Sequence, residues 1–458
     1  MNRVARNIIA FAFTLCLLAG VGASVRTPAQ SADEDLLQMV AELLSSPDRD
    51  TRGLGLQQVR KGLPGEAITR RFAELLSKLS PQGQAALLDA LSDRGDGAAR
   101  PAVLNAVASP DEMVRSAALR ALGALGEPGD MVLLAEKAAS GSDLEKEPAR
   151  QSLARLRGEK ITAAILDVMT KAAPKVRAEL LRTLAARKAT DTMPVVLRSA
   201  ADPDRSVRLA ALAAARTLGG AKDTAAIIQL LASAREEAER NAAEAALLAV
   251  CGRNGQACAD ALLAKLPNAD VPARLSLLRA LAVIGGPRAL EAITGHWGDS
   301  DLSLRDEALR ILSVWPEVTA APHLMKIAQE TDNPAHQILA LRGMIRLAGP
   351  EDERPANMEM LSDAWKLARR PEEKRLVLGA LGGIATPAAL EIALQALASP
   401  ELREEAALAV VMIAEKLPAA NAIEVRGAMQ KVLQCAQEPS LRQRAEKIVK
   451  GLDRFRSD

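Results

Sequence analysis

The side chains best placed to do chemistry in this chain are arginines that return at a regular spacing. Arg52, Arg115, Arg208 and Arg305 each follow a short turn-forming phrase, of which the clearest copy reads Ser109-Pro110-Asp111-Glu112-Met113-Val114-Arg115. A guanidinium offers five N–H donors in a planar fork, so its chemistry is recognition of carboxylates, phosphates and carbonyls. A second set, Arg120, Arg155, Arg182, Arg279 and Arg310, lies five residues beyond such register positions, and Arg342 joins it with a slip of one residue. Five residues turn a helix to a point about 140° from the first set, away from the core. Such a column could bind an acidic surface or a polyanion, or it could be a solvated face with local glutamate partners. Ala213 and Ala245 interrupt it.

Other reactive residue types are sparse. Cys251 and Cys258 flank the turn Gly252-Arg253-Asn254-Gly255. A disulfide there would close a short loop worth at most about 2.5 kcal/mol. Two packed thiols are the alternative, and the spacing leaves both open, because the direction of the Cβ atoms decides. His296 and Trp297 sit together between two glycines, where they could line a pocket or form an inter-helix turn. With His323 and His336 the only other histidines, no metal centre is expected. Gly219-Gly220-Ala221-Lys222-Asp223-Thr224 lacks the spacing of a phosphate loop and reads as a helix stop. No serine-nucleophile elbow and no His-Glu-x-x-His occurs, so neither catalytic residues nor a cofactor are expected.

The elements that carry the arginines can be read from the same phrase. Ser109 is a candidate cap, Pro110 suits a first helical turn, and Asp111 and Glu112 suit the positive end of the helix dipole. Val114, Ala117, Ala118, Ala121, Leu122 and Leu125 then share one face, with Ser116 and Arg120 opposite. Gly123, Gly126 and Pro128 stop the helix. Copies of the register fall at Arg52, Gln84, Arg115, Arg150, Arg177, Arg208, Arg240, Arg274, Arg305, His336, Arg375, Arg403 and Arg442, about 32 residues apart, which is a solenoid period. Shorter apolar segments at 131–138, 224–232 and 388–397 supply a partner helix. No single hairpin can bury both apolar faces, so neighbours must stack.

Pro-Asp-x-x-Val-Arg followed by Ala-Leu and a glycine-rich stop resembles HEAT repeats, especially the short bacterial type also found in phycobilin lyases. The resemblance covers about 33–452. It implies an all-α, right-handed α-solenoid (an α-α superhelix of the armadillo/HEAT kind) of 12–13 stacked hairpins, with the second helices lining a concave face. It also implies that Arg52, Arg115, Arg208 and Arg305 form a structural ladder to acidic or carbonyl groups. The last third is similar to HEAT segments of exported bacterial proteins that carry a haem or sugar-degrading domain. Neither accompanying domain is found in this sequence.

Composition agrees with a repeat array. Hydrophobic residues make up 49% of 458 residues, yet aromatics are only 2%, so small aliphatic side chains must build the core. The net charge of +2 gives no global case for nucleic acid, and the few aromatics give few stacking platforms. Arg3 and Arg6 precede the apolar run 8–20 and the small residues Val21-Gly22-Ala23, the pattern of a Sec-type signal. The expected layout is therefore a signal at 1–23, a linker at 24–32, the solenoid at 33–452 and a polar tail at 453–458. The expected function is a monomeric, non-enzymatic scaffold in the periplasm or outside the cell, with a protein partner whose surface could be acidic. The competing readings are a bilin-lyase-like or other small-ligand protein, and a polyanion- or nucleic-acid-binding solenoid.

Overall fold

A computed structural model of the chain describes residues 28–158, 160–349, 355–417 and 421–454. Regular structure among these residues is helical throughout, with short 3-10 turns between α-helices. The signal read at 1–23 lies outside the described residues. The first helix, Pro28–Ser45, begins inside the stretch read as a linker, and the last, Pro439–Arg454, extends into the stretch read as a tail.

The chain divides into two compact units, one ending at Thr183 and the other starting at Leu184. In the first unit, Pro28–Ser45 packs on Arg49–Lys61, Arg100–Ala106 on Glu112–Leu125, and Met131–Ser140 on Asp143–Arg155. The second helices also pack on one another in sequence: Arg49–Lys61 on Pro81–Arg94, then Glu112–Leu125, then Asp143–Arg155. The second unit repeats the scheme. Arg205–Leu218, Glu237–Asn254, Val271–Ile284, Leu302–Ser313, Pro334–Leu347, Pro371–Leu381, Arg403–Lys416 and Pro439–Arg454 form its row of second helices, each in contact with the next. Each unit is thus a stack of helical hairpins in which helices pack within their own repeat and against the next.

Local chemistry explains the helix starts. Asp111 is the N-cap of Glu112–Leu125, its carboxylate accepting from the N–H groups of Met113 (2.9 Å) and Val114 (3.3 Å), and Asp204 and Asp301 do the same for their helices. The helix therefore starts two residues later than a Ser109 cap would give. Ser109 and Pro110 lie in the preceding turn, which leaves their carbonyls outside the helical ladder. Val114, Ala117, Ala118, Ala121, Leu122 and Leu125 are all buried. Ser116 and Leu119 are buried too, at 8% and 0% exposure, because a helix inside a stack is covered on three sides and not one.

Candidate functional site

The backbone itself defines the register of the second helices, because each opens with an N–H bonding the N-cap carbonyl four residues back. Arg52, Gln84, Arg115, Arg177, Arg208, Arg240, Arg274, Arg305 and Arg442 occupy that position. In four repeats the sequence register slips. Lys146, Gln337, Lys374 and Ala406 hold the position in place of Arg150, His336, Arg375 and Arg403.

At the register position, the guanidinium clasps the turn before its own helix. Arg115 Nη1 donates to the carbonyls of Ser109 and Pro110, both at 2.9 Å; Arg208 Nη1 donates to Asp202 (3.0 Å) and Pro203 (2.8 Å); and Arg52 Nη1 donates to Ser46 (2.8 Å) and Pro47 (2.7 Å). Arg305 donates through Nε and Nη2 to the Asp299 carbonyl. Two of these arginines also reach the next repeat. Arg115 Nε lies 2.5 Å from Glu145, while Arg208 donates to Glu239 through Nε (2.8 Å) and Nη2 (2.5 Å). Both glutamates stand three residues after an N-cap and are buried. Burial alone would raise the Glu145 carboxyl. The Ser142 N–H, the Arg115 guanidinium and the Lys137 charge outweigh it and hold that group below its ordinary 4.5.

The second column stands nine residues after the N-cap. Arg120, Arg182, Arg279, Arg310 and Arg342 occupy it, Arg342 without any slip once Gln337 is taken as register. Arg155 does not belong to the column. It lies one turn too late, and Gln151 takes the position, because the register in that repeat is Lys146. Asp89 holds the same position one repeat before Arg120. Most of the column is ion-paired: Arg120 with Asp89 at 3.2 Å, Arg182 with Glu179 at 2.7 Å, Arg279 with Glu244 and Glu307 at 2.9 Å each, and Arg310 with Glu307. Arg155 and Arg342 are exposed and have no such partner among the described residues. The column is therefore a mosaic of both signs and not a basic stripe. In the first unit Asp89, Ser92, Asp93, Arg120, Gln151 and Arg155 enclose a polar cavity of about 280 Å³. Glu179 and Glu307, three residues before Arg182 and Arg310, are local glutamate partners of the kind the sequence allows, while Glu244 comes from the preceding repeat.

The remaining candidates have structural roles. Cys251 and Cys258 are fully buried free thiols and not a disulfide, with Thr224 Oγ1 donating to Cys258 Sγ at 3.3 Å. Burial, and then the neighbouring Cys258, push the Cys251 thiol up to about 12, far from a nucleophile's range. His296 Nδ1 bonds the Ala292 carbonyl of its own helix at 2.8 Å. Trp297 packs edge-on against His336, centroids 5.3 Å apart, and His336 Nε2 in turn meets Asp306 at 2.8 Å. Trp315 is buried at 2% exposure; Trp365 is only half-buried and lies under the Lys374 ammonium. Among the described residues no group of His, Cys, Asp and Glu could hold a metal ion, and no helix is long and apolar enough to cross a membrane.

Residues 69–154 and 162–248 match the family model of HEAT repeats. No curated protein matches the chain. Among solved structures, the chain is similar to Kap121p bound to Pho4p (12% identity, TM-score 0.50) and to the karyopherin Kap121p bound to the extreme C-terminus of the protein phosphatase Cdc14p (12%, TM-score 0.51). Each match covers 91% of this chain and 53% of the other, so the chain spans about half the length of these structures, and the likeness is one of fold. Repeated clasps and stacked hairpins make each unit an α-solenoid, and residues 69–154 and 162–248 of the chain are similar to HEAT repeats.

Proposed function

We propose that this chain is a non-enzymatic protein-binding scaffold that works outside the cytoplasm and holds its partner along the face made by its second helices. The observation that carries this reading is the alignment of exposed and half-exposed polar side chains one repeat apart. Gln57, Asp89, Arg120, Gln151 and Arg182 stand at the same position of successive second helices in the first unit, and Arg279, Arg310 and Arg342 do so in the second. A surface of this kind offers many small polar contacts spread along a row, which suits an extended polypeptide. Kap121p, solved with bound Pho4p and with bound Cdc14p C-terminus, is a precedent for a helical stack holding polypeptide. The mixed signs of the column favour a partner of mixed charge over a polyanion. Export is supported by Arg3, Arg6 and the apolar run 8–20, and the mass of the mature chain tests it: cleavage near Ala23 is expected.

Photo-cross-linking tests the face. A photoreactive residue at Gln151 or Arg155 should trap a defined polypeptide, whereas one at Val132, exposed on a first helix, should not. Equal trapping from all three positions, or none from Gln151 and Arg155, contradicts the proposal.

A further inference from the structure

Arg52 makes the clasp of the ladder but, like Arg305, has no glutamate of the next repeat among the described residues to complete it as Arg115 and Arg208 have. Arg52 Nη1 bonds the Ser46 and Pro47 carbonyls just as Arg115 and Arg208 bond the carbonyls of their own turns. In those two repeats the Nε side of the fork meets a glutamate three residues after the next N-cap, Glu145 or Glu239. The N-cap after Arg52 is Ser80, and the residue three positions on is Gly83. There is no side chain to reach back, and a cavity of about 640 Å³ opens between the two repeats. The comparable cavity at Arg208, which holds Glu239, measures about 370 Å³.

The chemistry of the larger cavity is one-sided. Arg49, Arg52 and Lys78 line it with no acidic residue in the lining, and Ser46 and Ser80 add hydroxyls. Asp48, whose carboxyl also feels the Arg52 charge, caps its own helix by accepting from the Thr51 N–H (2.8 Å) and hydroxyl (2.7 Å). Leu44 and Leu56 give the cavity an apolar wall. A short aliphatic stem ending in a carboxylate fits these features: methylenes against the leucines, oxygens on the free edge of Arg52.

We infer that the cavity between the first two repeats binds an acidic side chain of a partner polypeptide, whose carboxylate takes the place that Glu145 and Glu239 fill in the ladder. The inference rests on the scaffold reading for its partner, but the pocket can be tested without one. The probe is an acetylated, amidated peptide of alternating Glu and Ser, titrated into the purified full chain by calorimetry, with the Gln-for-Glu peptide and sodium acetate as controls. The Glu peptide is expected to bind at least about tenfold more tightly than either control, and Arg52→Gln is expected to weaken it by about tenfold or more while helicity is unchanged. Gly83→Glu should abolish binding by supplying the missing carboxylate internally, and Gly83→Ala should retain it. Equal binding of the Gln peptide overturns the assignment of a carboxylate, and equal binding of acetate overturns its polypeptide source. Full binding by Gly83→Glu, or loss in Gly83→Ala as complete as in Gly83→Glu, overturns the ladder vacancy. Failure of the scaffold reading would show instead as absence of cross-links from Gln151 and Arg155, whatever the peptide does.

Discussion

Arg115 illustrates how one side chain serves two repeats. It donates to the carbonyls of its own turn and pairs with the buried Glu145 of the next repeat, so Arg115→Ala leaves a carboxylate of 5% exposure without its guanidinium partner. The expected cost is about 2–4 kcal/mol in urea unfolding, and Arg208→Ala should behave alike through Glu239. Exposed Arg120→Ala, which loses the half-exposed Asp89 pair and a long bond to Ser116 Oγ, should cost under about 1 kcal/mol. The pH dependence has two limbs. Glu145, Asp130 and Glu415 have carboxyls held below their ordinary 4.5, 3.8 and 4.5, so the stability they add is present above those values and is lost as pH falls through the depressed ones. Cys251 is raised from 9.0 to about 12, so its stabilising contribution is present below pH 9 and is lost as pH rises from 9 towards 12. In the folded protein at pH 8, a thiol reagent should modify half-buried Cys435 and leave Cys251 and Cys258 untouched until urea is added. The arginines were visible in the sequence because a guanidinium after Val or Leu is a regular phrase; their acids were not, because each sits about 30 residues away in another repeat.

At the scale of the helix, contact between repeats decides what a glycine does. Gly343 lies in Pro334–Leu347 where an added Cβ would stand 2.9 Å from Ser313 Cα, a backbone atom that cannot swing aside. Gly343→Ala should therefore destabilise by about 1–3 kcal/mol. Gly379, in Pro371–Leu381, has nothing within 4 Å of the same position, and Gly379→Ala should stabilise by about 0.5–1 kcal/mol through helix propensity. Thermal or urea unfolding of the pair gives opposite signs if the stacking is right, and equal signs if it is not. Helix existence was legible from the caps and the apolar period. Register was legible wherever an Asp cap announces it, as at Asp111, Asp204 and Asp301. It slipped where the cap is Ser142, Asn333, Arg370 or Leu402, since a nearby arginine or histidine then mimicked the pattern. That slip moved Arg155 into a column where Gln151 stands.

For the molecule as a whole, repetition makes the fold readable and leaves the function almost silent. The residues that recur are those that cap, clasp and stack, and they would recur in any stack of this design, whatever it holds. What separates this chain from another is carried by positions that break the pattern: Gly83 where a glutamate would close the ladder, Asp89 opposite Arg120, and the exposed Arg155 and Arg342. The proposed function holds a polypeptide partner along the row of second helices. Hydrogen exchange of the cross-linked or reconstituted complex tests this most directly. Added protection is expected on successive second helices within one unit, such as Pro81–Arg94, Glu112–Leu125 and Asp143–Arg155, with first helices such as Met131–Ser140 unchanged. Protection confined to the first helices, or to the turn around His296 and Trp297, would contradict it.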